Sequence, residues 1–314
     1  MKKTKFSEKI LPIWGDQMNF RTDLAIELTE QLADTASQSH CTVQREEDGA
    51  KISHTRILTP EGEKQFGKPM GDYITVEVVP FSDSVTDSAQ EAEVIARQIR
   101  FLLPDQDGLV LIVGLGNLSV TPDALGPRVI DGILATRHLA GEWERAAGQK
   151  HLRPVAALAP GVLGQTGIET SEIIACLCEK IKPSCVIVVD ALAARSLKRL
   201  GRTVQLSNTG ISPGSGAMNR RRELSRQTLG APVISMGVPT VADGVTVGYD
   251  LLAVQGLDDE EAARTLFAPE GQSMLVTPKE IDLLIGRASK ILAMAINRAL
   301  QPSLSQEELS YLVS

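Results

Sequence analysis

Three aspartates stand out because each follows an apolar run that reads as a buried strand. "GLVLIVGLGN" (108–117) leads to Asp123 in "LSVTPDALGP". "CVIVVDAL" (185–192) runs directly into Asp190, and "PVISMGVPT" (232–240) leads to Asp243 in "VADGV". A carboxylate at the end of a buried strand is partly desolvated, which raises its pKa. Two carboxylates sharing one mouth do not both ionise cheaply, so one tends to keep a proton near neutral pH while the other stays anionic. Such a pair can take a proton from water and protonate a leaving amine, which is general acid–base peptide hydrolysis. Each Asp alone also suits the cap of a following helix. Asp243, furthest along its loop, has the strongest case as a cap. The shared strand edge favours a chemical role for Asp123 and Asp190, because capping does not require it.

Other chemistry is weaker. Gly114-Leu115-Gly116-Asn117-Leu118-Ser119 approaches the dinucleotide fingerprint, but Ser119 stands at its third glycine and Pro122 delays the helix. The next strand, "PVAALAPG" (154–161), does not end in the acid that grips a ribose. The alternatives are a non-catalytic nucleotide-binding module or a tight strand-to-loop turn. No HExxH or GxSxG occurs, and none of the four His residues has a promising context. Ser215, in "SPGSGAMNRRREL", lies in a Gly-rich loop that either binds a carbonyl or oxyanion through its N–H groups or forms a turn and cap. Arg220-Arg221-Arg222 reads as a solvated face. Cys176 and Cys178 point to opposite sides of a predicted helix, so reduced thiols are favoured over a zinc site. The expected metal and cofactor content is none.

The elements that must position these residues follow from periodicity. Residues 21–33 have helical spacing. Two or three strands follow over 41–80, with Asp48-Gly49 as a hairpin turn, and then an amphipathic helix over 87–103. The continuous apolar runs at 108–117, 154–161, 185–192 and 232–240 read as strands buried on both faces. Helical segments near 126–140, 168–181 and 216–228 lie between them, and 203–210 is a further strand. The alternation predicts an α/β fold: a twisted, mostly parallel sheet with helices on both faces, plus a small N-terminal β region. "TPKEIDLLIGRASKILAMAINRALQ" reads as one long helix with a Thr277 cap and Pro278 in its first turn.

With 43% hydrophobic and 23% charged residues, the 314-residue chain can bury a large core. Its net charge of -7 gives no global reason to bind nucleic acid. The first 20 residues contain no continuous apolar run, which argues against a signal peptide, a membrane span or a membrane partner.

Several long blocks resemble the germination proteases of spore-forming bacteria: "VGLGNLSVTPDALGPRVIDGILATRHL" (113–139), "APGVLGQTGIETSEII" (159–174), "VDALAARS" (189–196), "SNTGISPGSGAMNRRREL" (207–224), "GVPTVADGVT" (237–246) and "MLVTPKEID" (274–282). The likeness runs from about Arg21 to about Leu300. It implies an endopeptidase whose two essential aspartates fall on Asp123 and Asp190; beside them, Asn117, Glu169, Ser215 and Asp243 are supporting candidates from the residues themselves. It implies a zymogen of the forespore or spore core that cuts small acid-soluble spore proteins between an acidic and an apolar residue. "RTDLAIE" matches such a site, placing self-cleavage between Asp23 and Leu24, with 1–23 as propeptide and 24–314 as one peptidase domain. A homotetramer is implied in the same way. A likeness in architecture to hydrogenase maturation proteases keeps a metal-dependent peptidase with the same acids as the alternative. The chain departs from the family between Asp250 and Ser273, where many relatives carry a longer insertion.

Overall fold

In the computed structural model, residues 22–31, 39–83, 88–139, 151–212, 222–257, 259–268 and 274–313 are described. The predicted hairpin forms first. Strands β1 (His40–Glu47) and β2 (Ala50–Ile57) pair antiparallel around Asp48-Gly49, whose φ values of 50° and 76° suit a type I′ turn. β3 (Gly71–Glu77), β4 (Val110–Gly114), β5 (Val155–Leu158), β6 (Cys185–Ala194), β7 (Thr203–Ser207), β8 (Val233–Asp243) and the short β9 (Leu275–Val276) complete one sheet. Its order is β1-β2-β3-β7-β8-β6-β4-β5, with β9 on β8. The strands β8, β6, β4 and β5 run parallel, whereas β1 to β3 join through β7 in antiparallel pairs. The small β region expected at the N-terminus is thus one wing of the same mixed sheet.

Period-two alternation explains the continuous apolar runs. On β6, Cys185, Ile187 and Val189 face one core, and Val186 and Val188 face the other. The first core is closed by α3 (Ser88–Leu102), α4 (Leu125–Ile130) and α10 (Ile281–Leu300). The second is closed by α6 (Thr170–Ile181) and α7 (Arg226–Leu229). The remaining helices are α1 (Ala25–Gln31), α2 (Pro60–Phe66), α5 (Leu163–Thr166), α8 (Gly244–Val254), α9 (Glu260–Phe267) and α11 (Gln306–Leu312). On α6, Cys176 is exposed and Cys178 buried, as their spacing requires. Burial raises the Cys178 thiol and pushes Cys185 up to about 12. Among the described residues, no helix is long and apolar enough to cross a membrane.

Four expectations change. The strand that begins at Cys185 does not end at Asp190 but continues four residues to Ala194, paired with β8. The helix near 126–140 stops at Ile130, because Asn297 of α10 intervenes: its Oδ1 accepts from Leu134 N (2.9 Å) and its Nδ2 donates to Gly132 O (2.8 Å). Of the segment 216–228, only Arg226–Leu229 is a described helix. Thr277 does not cap α10. Its hydroxyl donates to Thr240 O at 3.0 Å, and the helix begins at Ile281 with Glu280 in the cap position.

Candidate active site

β4 and β6 pair as far as Gly114–Val189, and Leu115 N donates to Val189 O at 2.8 Å. Asp190 is therefore the next residue beyond the last paired row. By alternation it continues the face of Val186 and Val188, and it is 6% exposed. Its Oδ1 accepts from Ala191 N at 2.9 Å.

The chain leaving β4 turns on Gly116, whose φ of 120° favours glycine. A short 3-10 turn at Thr121–Asp123 then brings Asp123 back over Gly116. A Cβ at Gly116 would lie 1.9 Å from Asp123 O, so the two backbones touch. Half-buried Asp123 accepts at Oδ2 from Asn117 N, 2.7 Å away. Asn117 Oδ1 in turn accepts from Ser119 N (3.0 Å) and Gln165 Nε2 (2.9 Å). On the far side, the fully buried Thr240 of β8 donates from Oγ1 to Pro122 O at 2.8 Å. Since β6 lies between β4 and β8, the loop carrying Asp123 reaches from the end of β4 across to β8, while β6 continues past Asp190 to Ala194. Asp123 stands past the C-terminal end of β4 and Asp190 at the level where β4 stops, toward the C-terminal side of the parallel strands, where such sheets place their chemistry.

The other candidates fall into different places. Asn117 organises the Asp123 loop. Glu169 is half-buried at the start of α6, without a side-chain cap bond to that helix. Ser215 and Gly214–Gly216 lie outside the described residues. Asp243 caps α8, accepting at Oδ1 from Thr246 N (2.9 Å) and Thr246 Oγ1 (3.1 Å). It stands six residues past Gly237, the partner of Asp190, or about 20 Å along the strand. The N–H groups of Leu115 and Asn117 are bonded within the protein, to Val189 O and Asp123 Oδ2. Among the described residues, no three His, Cys, Asp or Glu side chains converge as a metal-ligand set.

The segment around Asp23-Leu24 lies on the same sheet face. Asp23 N donates to Ala193 O (2.9 Å), and Ala193 N donates to Asp23 Oδ2 (2.8 Å). Leu24 is fully buried against Leu192, Ala194, Leu200 and Ile211. Gln205 of β7 clamps the peptide bond from both sides: its Nε2 donates to Asp23 O and its Oε1 accepts from Ala25 N, each at 2.6 Å. Gln205, Gly237 and Asp190 form one row across β7, β8 and β6. Sequence reasoning missed Gln205 and Thr240. Their signal was a polar residue set between apolar neighbours, in "VQL" (204–206) and "PTV" (239–241). A cleft of ≈ 600 Å³ beside α1 is lined by Glu27, Glu30, Arg195, Arg199 and Asp250 among others, and by neither Asp123 nor Asp190.

Residues 21–255 match the sequence profile of the germination protease family. The chain is similar to the germination protease of Caldanaerobacter subterraneus subsp. tengcongensis, at 42% identity over 94% of this chain and 98% of that protein. Similarity to the germination protease of Clostridium tetani is 40% over 94% and 100% of the two chains. For that of Priestia megaterium it is 37% over 93% and 96%. With the match extending over most of both chains, this protein belongs to the germination protease family and is an endopeptidase.

Proposed function

We propose that the chain is a zymogen that cuts itself between Asp23 and Leu24, and that its mature form cuts small acid-soluble spore proteins with Asp123 and Asp190 as the acid–base pair. The observation that carries this reading is the placement of two carboxylates around the point where β4 stops: Asp190 inside β6, one residue past its last row with β4, and Asp123 in the loop that leaves β4 and is tied to β8 through Thr240. One aspartate, ionised, takes a proton from the attacking water. The other, protonated, donates to the carbonyl oxygen or the leaving nitrogen. Help of this kind is worth on the order of 10² to 10⁴ in rate.

The docking of the N-terminal segment supports both the cleavage position and the silence of the precursor. An acid followed by an apolar residue occupies it, with the acid received by Ala193 N and Leu24 buried on β6. Leu192, which Leu24 touches, lies two residues past Asp190 on the same face, about 7 Å along the strand. The bond is thus held beside the acids rather than across them, and cutting requires the segment to shift along β6.

Asp123→Asn and Asp190→Asn keep the side-chain shape and remove the acid. Each full-length variant should remain uncut at Asp23-Leu24, and normal self-processing by either would overturn the pairing. Mass spectrometry of an acid-soluble spore protein after incubation with the processed wild type should show cuts after an acidic and before an apolar residue.

A further inference from the structure

Glu27 is a carboxylate buried to 3% exposure at the foot of α1, and the mechanism above does not use it. Its two oxygens are held by the chain that leaves β6: Oε2 accepts from Arg195 N at 2.8 Å and Oε1 from Ser196 N at 3.0 Å. Arg199 approaches Oε1 at 3.5 Å. The remaining donor is the Thr22 hydroxyl, which bonds to Oε2. That same hydroxyl oxygen accepts from Leu24 N at 3.0 Å. One hydroxyl group, belonging to the segment that would be released, therefore stands between the Leu24 nitrogen and a buried carboxylate.

We propose that Glu27 is the binding site for the new N-terminus: once the Asp23–Leu24 bond is hydrolysed, the Leu24 α-ammonium takes the place of the Thr22 hydroxyl on Glu27. The inference rests on the self-cleavage reading. Hydrolysis adds water across the peptide bond, leaving a carboxylate on Asp23 and, after protonation, an ammonium on Leu24. The departing segment takes Thr22 with it, so Glu27 Oε2 has lost a donor when Leu24, now carrying a cationic donor, settles back beside it. Three contacts bring Leu24 back to its place after the cut: its side chain among Leu192, Ala194 and Leu200, the bond from Ala25 N to Gln205, and Ala25 packed with Ile57, Phe66 and Tyr73. An ammonium confined there needs an acceptor, and a buried carboxylate that already has two backbone donors is well prepared for it. Because Glu27 grips Arg195 and Ser196, the ion pair would also hold the end of the strand bearing Asp190 after the propeptide leaves.

Every buried apolar residue of the described chain lies at or beyond Leu24, so a chain beginning there keeps the whole core. The test compares the processed product of the full chain with two chains made directly, one beginning at Leu24 and one with a glycine placed before it. The Leu24-start chain can be released from an N-terminal ubiquitin fusion, so it is obtained whether or not self-cleavage occurs. An uncut full chain would therefore count against the self-cleavage reading alone. The Leu24-start chain should melt above the glycine-extended one by about 2 to 6 °C. Glu27→Gln should erase that difference. As a measurement that needs no variant, reductive methylation of the α-amine should be slower in the Leu24-start chain on the order of tenfold, because a paired ammonium holds its proton. Equal melting of the two chains, a difference that survives Glu27→Gln, or equal methylation rates would each overturn the proposal.

Discussion

Replacing Thr240 by valine removes one hydroxyl and adds no volume, yet it cuts the fastening of the Asp123 loop to β8. Thr240 is fully buried and donates to Pro122 O at 2.8 Å. In Thr240→Val that carbonyl faces a methyl group. Leaving a largely desolvated acceptor unpaired costs about 1 to 3 kcal/mol, which lowers the melting temperature by roughly 2 to 4 °C per kcal/mol in a chain near this size. The effect on activity should be larger. Asp123 is the next residue after Pro122, and a shift of about 1 Å in a positioned group can lower a rate on the order of 100-fold. Thr277→Val is the matched control, since its hydroxyl donates to Thr240 O from the other side at 3.0 Å and has no bond to the loop. Urea unfolding should show losses of similar size for both variants. The rate of cutting at Asp23-Leu24, measured where both are fully folded, should collapse only in Thr240→Val. Wild-type cutting by Thr240→Val would refute the idea that this bond positions Asp123. Equal impairment in Thr277→Val would trace the effect to the end of β8 instead of the loop.

Asp243→Ala should cost about 1 kcal/mol, the worth of an N-cap, and leave peptide cutting at the wild-type rate. A loss of cutting comparable to that of Asp190→Asn would restore Asp243 to the site. Burial pushes the Asp72 carboxyl up, but hydrogen bonds from Arg56, His54 and Asn208 together hold it below its ordinary range. Its folded pKa therefore lies under its unfolded one, so its stabilisation is present at neutral pH and drains away as pH falls below about 4. Denaturant midpoints should fall more steeply on acidification in the wild type than in Asp72→Asn; parallel acid limbs would count against this. Ile187→Ala, at a fully buried position on β6, should destabilise by about 2 to 5 kcal/mol, read as a lower urea midpoint with an unchanged slope.

The parallel strands were legible because burial on both faces writes itself as an unbroken apolar run, as in "CVIVVDAL". Asp190 was legible as the charged residue within that run, but the strand does not stop at it: apolar Ala191–Ala194 carry β6 four residues further. The joining of β3 to β7 was not, because that pairing links Tyr73 with Ser207 and depends on contacts far apart in sequence. The early end of α4 was hidden because its substitute hydrogen bonds come from Asn297, more than 160 residues away. Thr277 followed by proline carries the local grammar of a helix start, but its hydroxyl is claimed by Thr240 across the fold. Gln205 and Thr240 escaped because a buried polar residue in a strand signals only that a partner exists, not which one.

The glycine run after β4 admits a phosphate-binding or a packing interpretation, and the structure separates them by what fills the space above each glycine. A glycine that cradles a phosphate leaves an open concavity lined by backbone N–H groups. Here the space at Gly116 is filled by Asp123 O. The space at Gly126 is filled by Leu115 O and Val189 O, at 2.2 and 2.6 Å from a Cβ placed there. At Gly237 a Cβ would meet Asp190 O at 2.2 Å. In each case a side chain is absent so that one main chain can lie directly on another, and in two of the three the other main chain carries a candidate acid. The resemblance to a nucleotide fingerprint thus arises from a different demand. Asp123 and Asp190 are each seated by a glycine, Gly116 and Gly237, whose backbone lies closer to the acid's own main chain than any Cβ would permit.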